Sequence, residues 1–179
     1  DITSASSLSV STTSNLGADV TTSGTQTYTG AVTLSANNTL TTTSNGNVSF
    51  GSTTNGAQTL SITTDGTGDV TFTDDVGGSS GLNGLTISTN DFNAVDLKVG
   101  GTISVTNTGT SSEITGVIAN DGDAAVFTKA GTGTLVLSGT NTHTGITTIS
   151  AGILSISTDA GLGSISSLDA DRLTFNGGT

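Results

Sequence analysis

The chain has no cysteine, proline, methionine or tryptophan. Without cysteine there is neither a disulfide framework nor a thiolate metal site. Without proline, no strand loses a backbone donor. Charged residues are only 9% of the chain, which argues against charge-rich disorder. Three Lys and Arg against fourteen Asp and Glu give a formal charge of −11 and a pI of about 4.1. So few basic side chains exclude the clusters that nucleic acid or an anionic membrane would need. No run reaches the length of a transmembrane helix, so no membrane insertion is expected in this segment. No 3.6-residue period stands out, so no helix longer than a turn is expected. No signal peptide is visible, and the chain does not start with Met. It ends at Asn176-Gly177-Gly178-Thr179, where a strand should begin, so it reads as a segment of something longer.

What remains is Ser and Thr, together about a third of the 179 residues, with Gly, Val, Ile and Leu. That composition suits repetitive β structure. The stretch Lys129 to Ile156 is the most regular. Gly131 and Gly133 precede Leu135-Val136-Leu137, and Gly139 and Asn141 break that run. Gly145 precedes Ile146 to Ile149, and Gly152 precedes Ile153 to Ile156. It reads as one coil of three alternating strands, with Gly and Asn at turns because they tolerate positive φ. Strands this short bury an apolar face only if neighbouring coils stack on them.

A second periodicity runs through residues 18–106. Thr39-Leu40 recurs as Thr59-Leu60 and Gly84-Leu85, and Val48-Ser49-Phe50 as Val70-Thr71-Phe72 and Val95-Asp96-Leu97, at offsets of 20, 22 and 25 residues. Such a period is that of a parallel β-helix coil. Ser23 to Gly30 is similar to Ser138 to Gly145, which places Tyr28 and His143 at equivalent positions. Further strands are expected at Ile2, Leu8 to Val10, Ala18 to Thr22, Thr102 to Thr106, Glu113 to Ile118, Ala124 to Thr128 and Arg172 to Phe175. A period of about 22 residues gives roughly eight coils, and a strand spacing of about 4.8 Å gives a rod about 40 Å long.

The Lys129–Ile156 stretch resembles the passenger-associated repeat of bacterial autotransporters at Gly131, Gly133, Leu135, Leu137, Gly139, Asn141, Gly145, Thr147, Ile149, Gly152, Leu154 and Ile156. His143 departs from the family's usual Tyr. The resemblance extends weakly to residues 18–35 and 157–179, where Asp159 to Gly163 is similar to a D-x-x-L-G corner. The middle resembles large haemagglutinin-like surface adhesins. The fold expected is all-β, a single right-handed parallel β-helix with three short strands per coil across residues 1–179. The resemblance implies a structural, adhesive rod on the bacterial outer cell surface, not an enzyme and without a cofactor. Its partners would be neighbouring coils, copies of itself end to end in an extracellular filament, or host and matrix glycans or proteins.

Candidate chemistry is sparse. His143, the only histidine, has no acid near it in sequence and reads as a surface or corner residue. Asp65, Asp69, Asp121 and Asp123 are weak Ca²⁺ candidates, because hard cations take oxygen ligands. They and Asp74-Asp75 read as solvated turn acids, although paired carboxylates would also serve a polysaccharide-cleaving β-helix. Thr-rich strands could form the hydroxyl ladder of an ice-binding solenoid. Variable coil length would throw the Thr columns out of register, so solubilising strand faces are expected instead.

Overall fold

The computed structural model describes residues 1–164 and 172–178. It is a β-solenoid of about seven turns; among the described residues the named strands pair in parallel, and an isolated bridge, Asp121 to Asp123, is antiparallel. Each coil visits three faces in order. The first face runs from Ile2–Ala5 through Val20–Thr22, Asn38–Thr42, Thr59–Thr63, Leu82–Thr89, Leu97–Asn107, Val126–Ala130 and Thr147–Ile149 to Leu173–Phe175. The second stacks eight strands: Leu8–Val10, Gln26–Tyr28, Val48–Phe50, Val70–Phe72, Phe92–Ala94, Ser112–Ile114, Thr134–Leu137 and Ile153–Ile156. The third carries Ser14–Leu16, Val32–Leu34 and Thr54–Asn55, then single bridges through Val76 to Leu97. Ile118–Asn120 pairs with Leu97 to Val99, where the long Leu97–Asn107 strand rounds the corner between third and first faces. One helical turn, Asp159–Leu162, lies in the D-x-x-L-G corner. Of the 157–179 stretch, residues 165–171 and 179 lie outside the described residues.

Alternation decides what is inside. Along Val48–Phe50, Val70–Phe72 and Leu135 to Leu137 the outer residues are buried and the middle one faces out, as a period of two requires. Parallel register then stacks like on like. Tyr28, Phe50 and Phe72 stack in one inward file, with ring centroids 5.1 Å and 4.4 Å apart and planes within 12°. Ala94 follows Phe72 in that file, and the space it leaves accommodates Phe92 from the next file, edge-on at 6.2 Å. Each aromatic pair adds about 0.5–1.5 kcal/mol beyond area burial.

Several expected registers differ in the structure. Leu40 pairs with Ile62, and Leu60 with Asn38, so the Thr39/Thr59 alignment is shifted by one alternation step. Val70 pairs with Phe92 rather than Val95, and Leu97 starts the third face. The Leu40 shift is two residues, which leaves the apolar face pointing inward, so alternation cannot choose between such registers. The Val95 mismatch is three residues, because Val95 lies in the corner after Phe92–Ala94. Tyr28 and His143 are not equivalent. Tyr28 belongs to the second face, whereas the His143 N–H donates to Ile118 O on the third. Lys129 to Ile156 is more than one coil, because Leu135 pairs directly with Leu154. Glu113 to Ile118 breaks at Thr115-Gly116-Val117, the corner between second and third faces. The outward Thr and Ser residues of the first face do stay in register: Thr39, Ser61, Thr86, Ser104, Thr128 and Thr148 follow one another as pairing partners. Loops at the corners absorb the differences in coil length, so the strands remain aligned.

Phe50 sits between two rings and is fully buried. Phe50→Ala should lower unfolding free energy by about 3–5 kcal/mol, measured as a shift in the urea midpoint with unchanged slope. An effect below about 1 kcal/mol would mean that the stack is not a core element.

Candidate functional site

The passenger-like stretch is built for packing rather than for access. Leu135, Leu137 and Ile149 point into the core, Leu154 is buried at its edge, and Ile156 packs against it half-buried. Its glycines serve two purposes. Gly131 and Gly152 have φ of +74° and +71°, as expected for turns. Gly133, Gly139 and Gly145 do not have positive φ. There the coils pass too close for a side chain: a Cβ on Gly139 would lie 1.8 Å from Gly116 O, and one on Gly145 2.2 Å from Ala125 O.

Asn141 does more than end a strand. Its Oδ1 accepts the Ile118 N–H at 2.8 Å, and its Nδ2 donates to Gly161 O at 2.7 Å. Its own N–H donates to Ala160 O at 2.9 Å. One buried amide therefore ties the coil below to the coil above.

His143 lies inside, correcting the expectation of a surface or corner residue. It is fully buried beside Phe127, with ring centroids 6.4 Å apart. The inward direction at this position on the third face was hidden because no regular strand frames it. Nε2 lies 3.0 Å from Thr147 Oγ1, whose hydroxyl donates to Leu162 O at 3.2 Å. That chain assigns the proton to Nε2 and leaves Nδ1 buried without a partner. Gly163, at φ +98°, supplies the space above the ring, since a Cβ there would lie 2.8 Å from Cε1. Burial pushes the imidazole pKa down to about 4. The Ile118 carbonyl opposes this and the Arg172 charge adds to it. That carbonyl already accepts the Thr142 and His143 N–H groups, so its pull on the ring is small. A buried, neutral ring whose hydroxyl neighbour is also buried cannot reach a substrate.

Lys129, which the alternation turns inward between Val105 and Ile149, is fully buried. Its Nζ donates to the carbonyls of Ala130 at 2.5 Å, Gly131 at 3.1 Å and Ala151 at 3.5 Å. Burial lowers its pKa to about 8. Sequence reading passed over it, although Phe127-Thr128-Lys129 carries the alternation that marks it as inward.

A second set of polar residues also escaped sequence reading. Thr22, Thr42, Thr64 and Thr89 each occupy the last inward position before the corner between first and second faces. Their hydroxyls donate to turn carbonyls: Thr42 to Gly46 O at 2.6 Å and Thr64 to Gly68 O at 2.7 Å. Asn107 continues the file, with Nδ2 on Ser112 Oγ and Thr134 O, both at 2.9 Å.

The turn acids are dispersed. Asp69 Oδ1 accepts from Asn90 Nδ2 at 2.9 Å and from the Asp91 N–H at 3.0 Å, linking successive coils. Asp65 and Asp123 are exposed. Asp121 pairs with Lys98 at 2.8 Å. Among the described residues, no three His, Asp or Glu side chains converge as a metal site would require.

Stacked coils, glycine close approaches and a buried amide clamp define a parallel β-solenoid. Residues 127–156 match the model of the passenger-associated-transport-repeat, so the chain carries that repeat. The chain is also 40% identical over 86 residues to the adhesin BmaC autotransporter of Brucella suis biovar 1 (strain 1330), a match covering 45% of this chain. It spans about 2% of the length of that relative. No solved structure matches the chain.

The buried histidine makes stability sensitive to acid. Its folded pKa, about 4, is below the ordinary value of 6.5, so the unfolded state binds the proton more readily. His143 should therefore add no pH-dependent cost above about pH 6.5. Its destabilisation should grow as pH falls towards 4, reaching about 3 kcal/mol, and level off below that. His143→Phe should remove this component from a urea-midpoint series across that range. An unchanged acid slope in the variant would mean that the imidazole protonates equally well in both states.

Proposed function

We propose that this chain is part of the passenger rod of an autotransporter adhesin. It is exported to the outer cell surface, where its sides contact other cells, host tissue or matrix. The observation that carries this reading is unbroken parallel coil stacking through a passenger-associated repeat. Each coil bonds only to its neighbours, so such a scaffold can be lengthened without redesign. The absence of cysteine supports export through a pore as an unfolded chain, since no disulfide can form beforehand. The role is structural rather than catalytic, in keeping with a histidine sealed in the core and acids dispersed among the turns, where Asp69 and Asp121 are engaged.

The purified chain should bind saturably to cells or to immobilised host glycans, and urea-unfolded chain should not. If the folded rod binds to neither, attachment belongs to another part of the parent protein and this reading fails. Electron microscopy of the same sample should show discrete short rods. Fibres one solenoid wide would instead favour a filament of end-to-end copies.

A further inference from the structure

The in-register file from Thr39 to Thr148 has a companion two residues along each strand. Thr21, Thr41, Thr63, Ser88 and Thr106 follow one another as pairing partners. Successive strands therefore show the same outward pattern: Thr39-x-Thr41, Ser61-x-Thr63, Thr86-x-Ser88 and Ser104-x-Thr106. The hydroxyls form a two-dimensional net, spaced about 4.8 Å across strands and about 6.6 Å along them.

Three features set this face apart. First, both files are free of charge, on a chain whose formal charge is −11. The outward file of the second face begins with hydroxyls at Ser9, Thr27, Ser49 and Thr71 but continues with Asn93, Glu113 and Val136, one of them charged. Second, among the described residues, no hydroxyl of the two first-face files bonds to another protein group. On the second face, Ser49 donates to Thr27 Oγ1 at 3.4 Å. Third, the net persists although the coils differ in length, so the corners vary while the strand pattern does not.

We infer that this face adsorbs to ice. A charged surface would meet no counter-charge here. A polysaccharide chain would need a groove or an aromatic platform; Tyr28, Phe50, Phe72, Phe92 and Phe127 are buried, and the one exposed ring, Phe175 at the end of the face, is too little for a platform. Ice is an uncharged lattice of donors and acceptors repeating over a few ångströms in two dimensions, which is what the net presents. Thr hydroxyls hold water at lattice positions while their methyl groups fill the spaces between. The register matters because adsorption to a crystal sums many weak contacts, and a net out of step would make only a few of them. This surface does not depend on the adhesive role, so failure here leaves cell binding untouched.

The test grows an ice hemisphere in a solution of the fluorescently labelled 179-residue chain. The labelled chain should be incorporated several-fold above an inert protein of similar size, and should slow ice recrystallisation. Thr86→Tyr and Thr128→Tyr keep a strand-favouring residue but break the flat net. Each should cut incorporation at least about fivefold, with the circular dichroism spectrum unchanged. Thr71→Tyr on the second face should leave incorporation intact. Exclusion of the parent chain from ice would overturn the inference, as would equal loss from substitutions on either face. So would retention on insoluble cellulose, or self-association abolished by Thr86→Tyr, without incorporation into ice.

Discussion

The hydrogen bonding of each coil to the next determines nearly everything else in the molecule. A parallel ladder holds strands about 4.8 Å apart, so a side chain meets its counterpart in the neighbouring coil before anything else. Inward positions must then form files whose members tolerate one another at that distance. Aromatic on aromatic does so by offset stacking, as Tyr28, Phe50 and Phe72 show, and Ala94 ends that file by leaving room for Phe92. Lys129 is the costly member. Its ammonium group leaves water, and backbone carbonyls at a corner replace the lost hydration.

The same spacing dictates the corners. Where the chain turns, backbones approach so closely that only glycine fits, even at ordinary φ. Gly139 over Gly116 O and Gly145 over Ala125 O are of this kind, in contrast to Gly131, where the turn itself requires φ of +74°. Corners also leave backbone groups without a ladder partner. Thr42, Thr64, Asn107 and Asn141 supply those partners from the side chain. A buried polar residue is thus repeatedly a corner residue that bonds the turn, whereas Asn38, Thr54, Asn107 Oδ1 and His143 Nδ1 are buried without a partner.

This explains what could be read in advance. Strand positions, turn acids and the stacked-coil architecture were visible because period two and turn chemistry are local signals. Register was visible where two bulky residues matched, as with Val48 and Phe50 against Val70 and Phe72. It was lost at Leu40, because a two-residue shift preserves the alternation, and at Val95, three residues past the true partner Phe92, because the strand ends at Ala94 and Val95 lies in the corner that follows. The burial of His143 was not legible for a different reason. No regular strand frames it, so its direction depends on contacts with Ile118, Thr147 and Gly163 that lie in other coils or across a corner. Lys129 was legible in principle, since Phe127 and Lys129 share a side of one strand.

Outward files carry a freedom that inward ones do not. Inside, each residue is constrained by its neighbours above and below, so a substitution in one coil is felt in two others. Outside, water satisfies any polar side chain, and packing does not require Thr86 to resemble Ser61 or Ser104. The second face uses that freedom, mixing Thr, Asn, Glu and Val in one file. The first face varies too, at Gly84 and Val126 in one outward file and at Ala130 after Thr106 in another, yet the file from Thr39 to Thr148 keeps a hydroxyl in all six strands while corner length varies. β-propensity favours Thr on both faces alike, so it cannot account for their difference. A single hydroxyl file held in step across six coils, beside files that vary, is the arrangement that the proposed adsorption to a regular lattice would use.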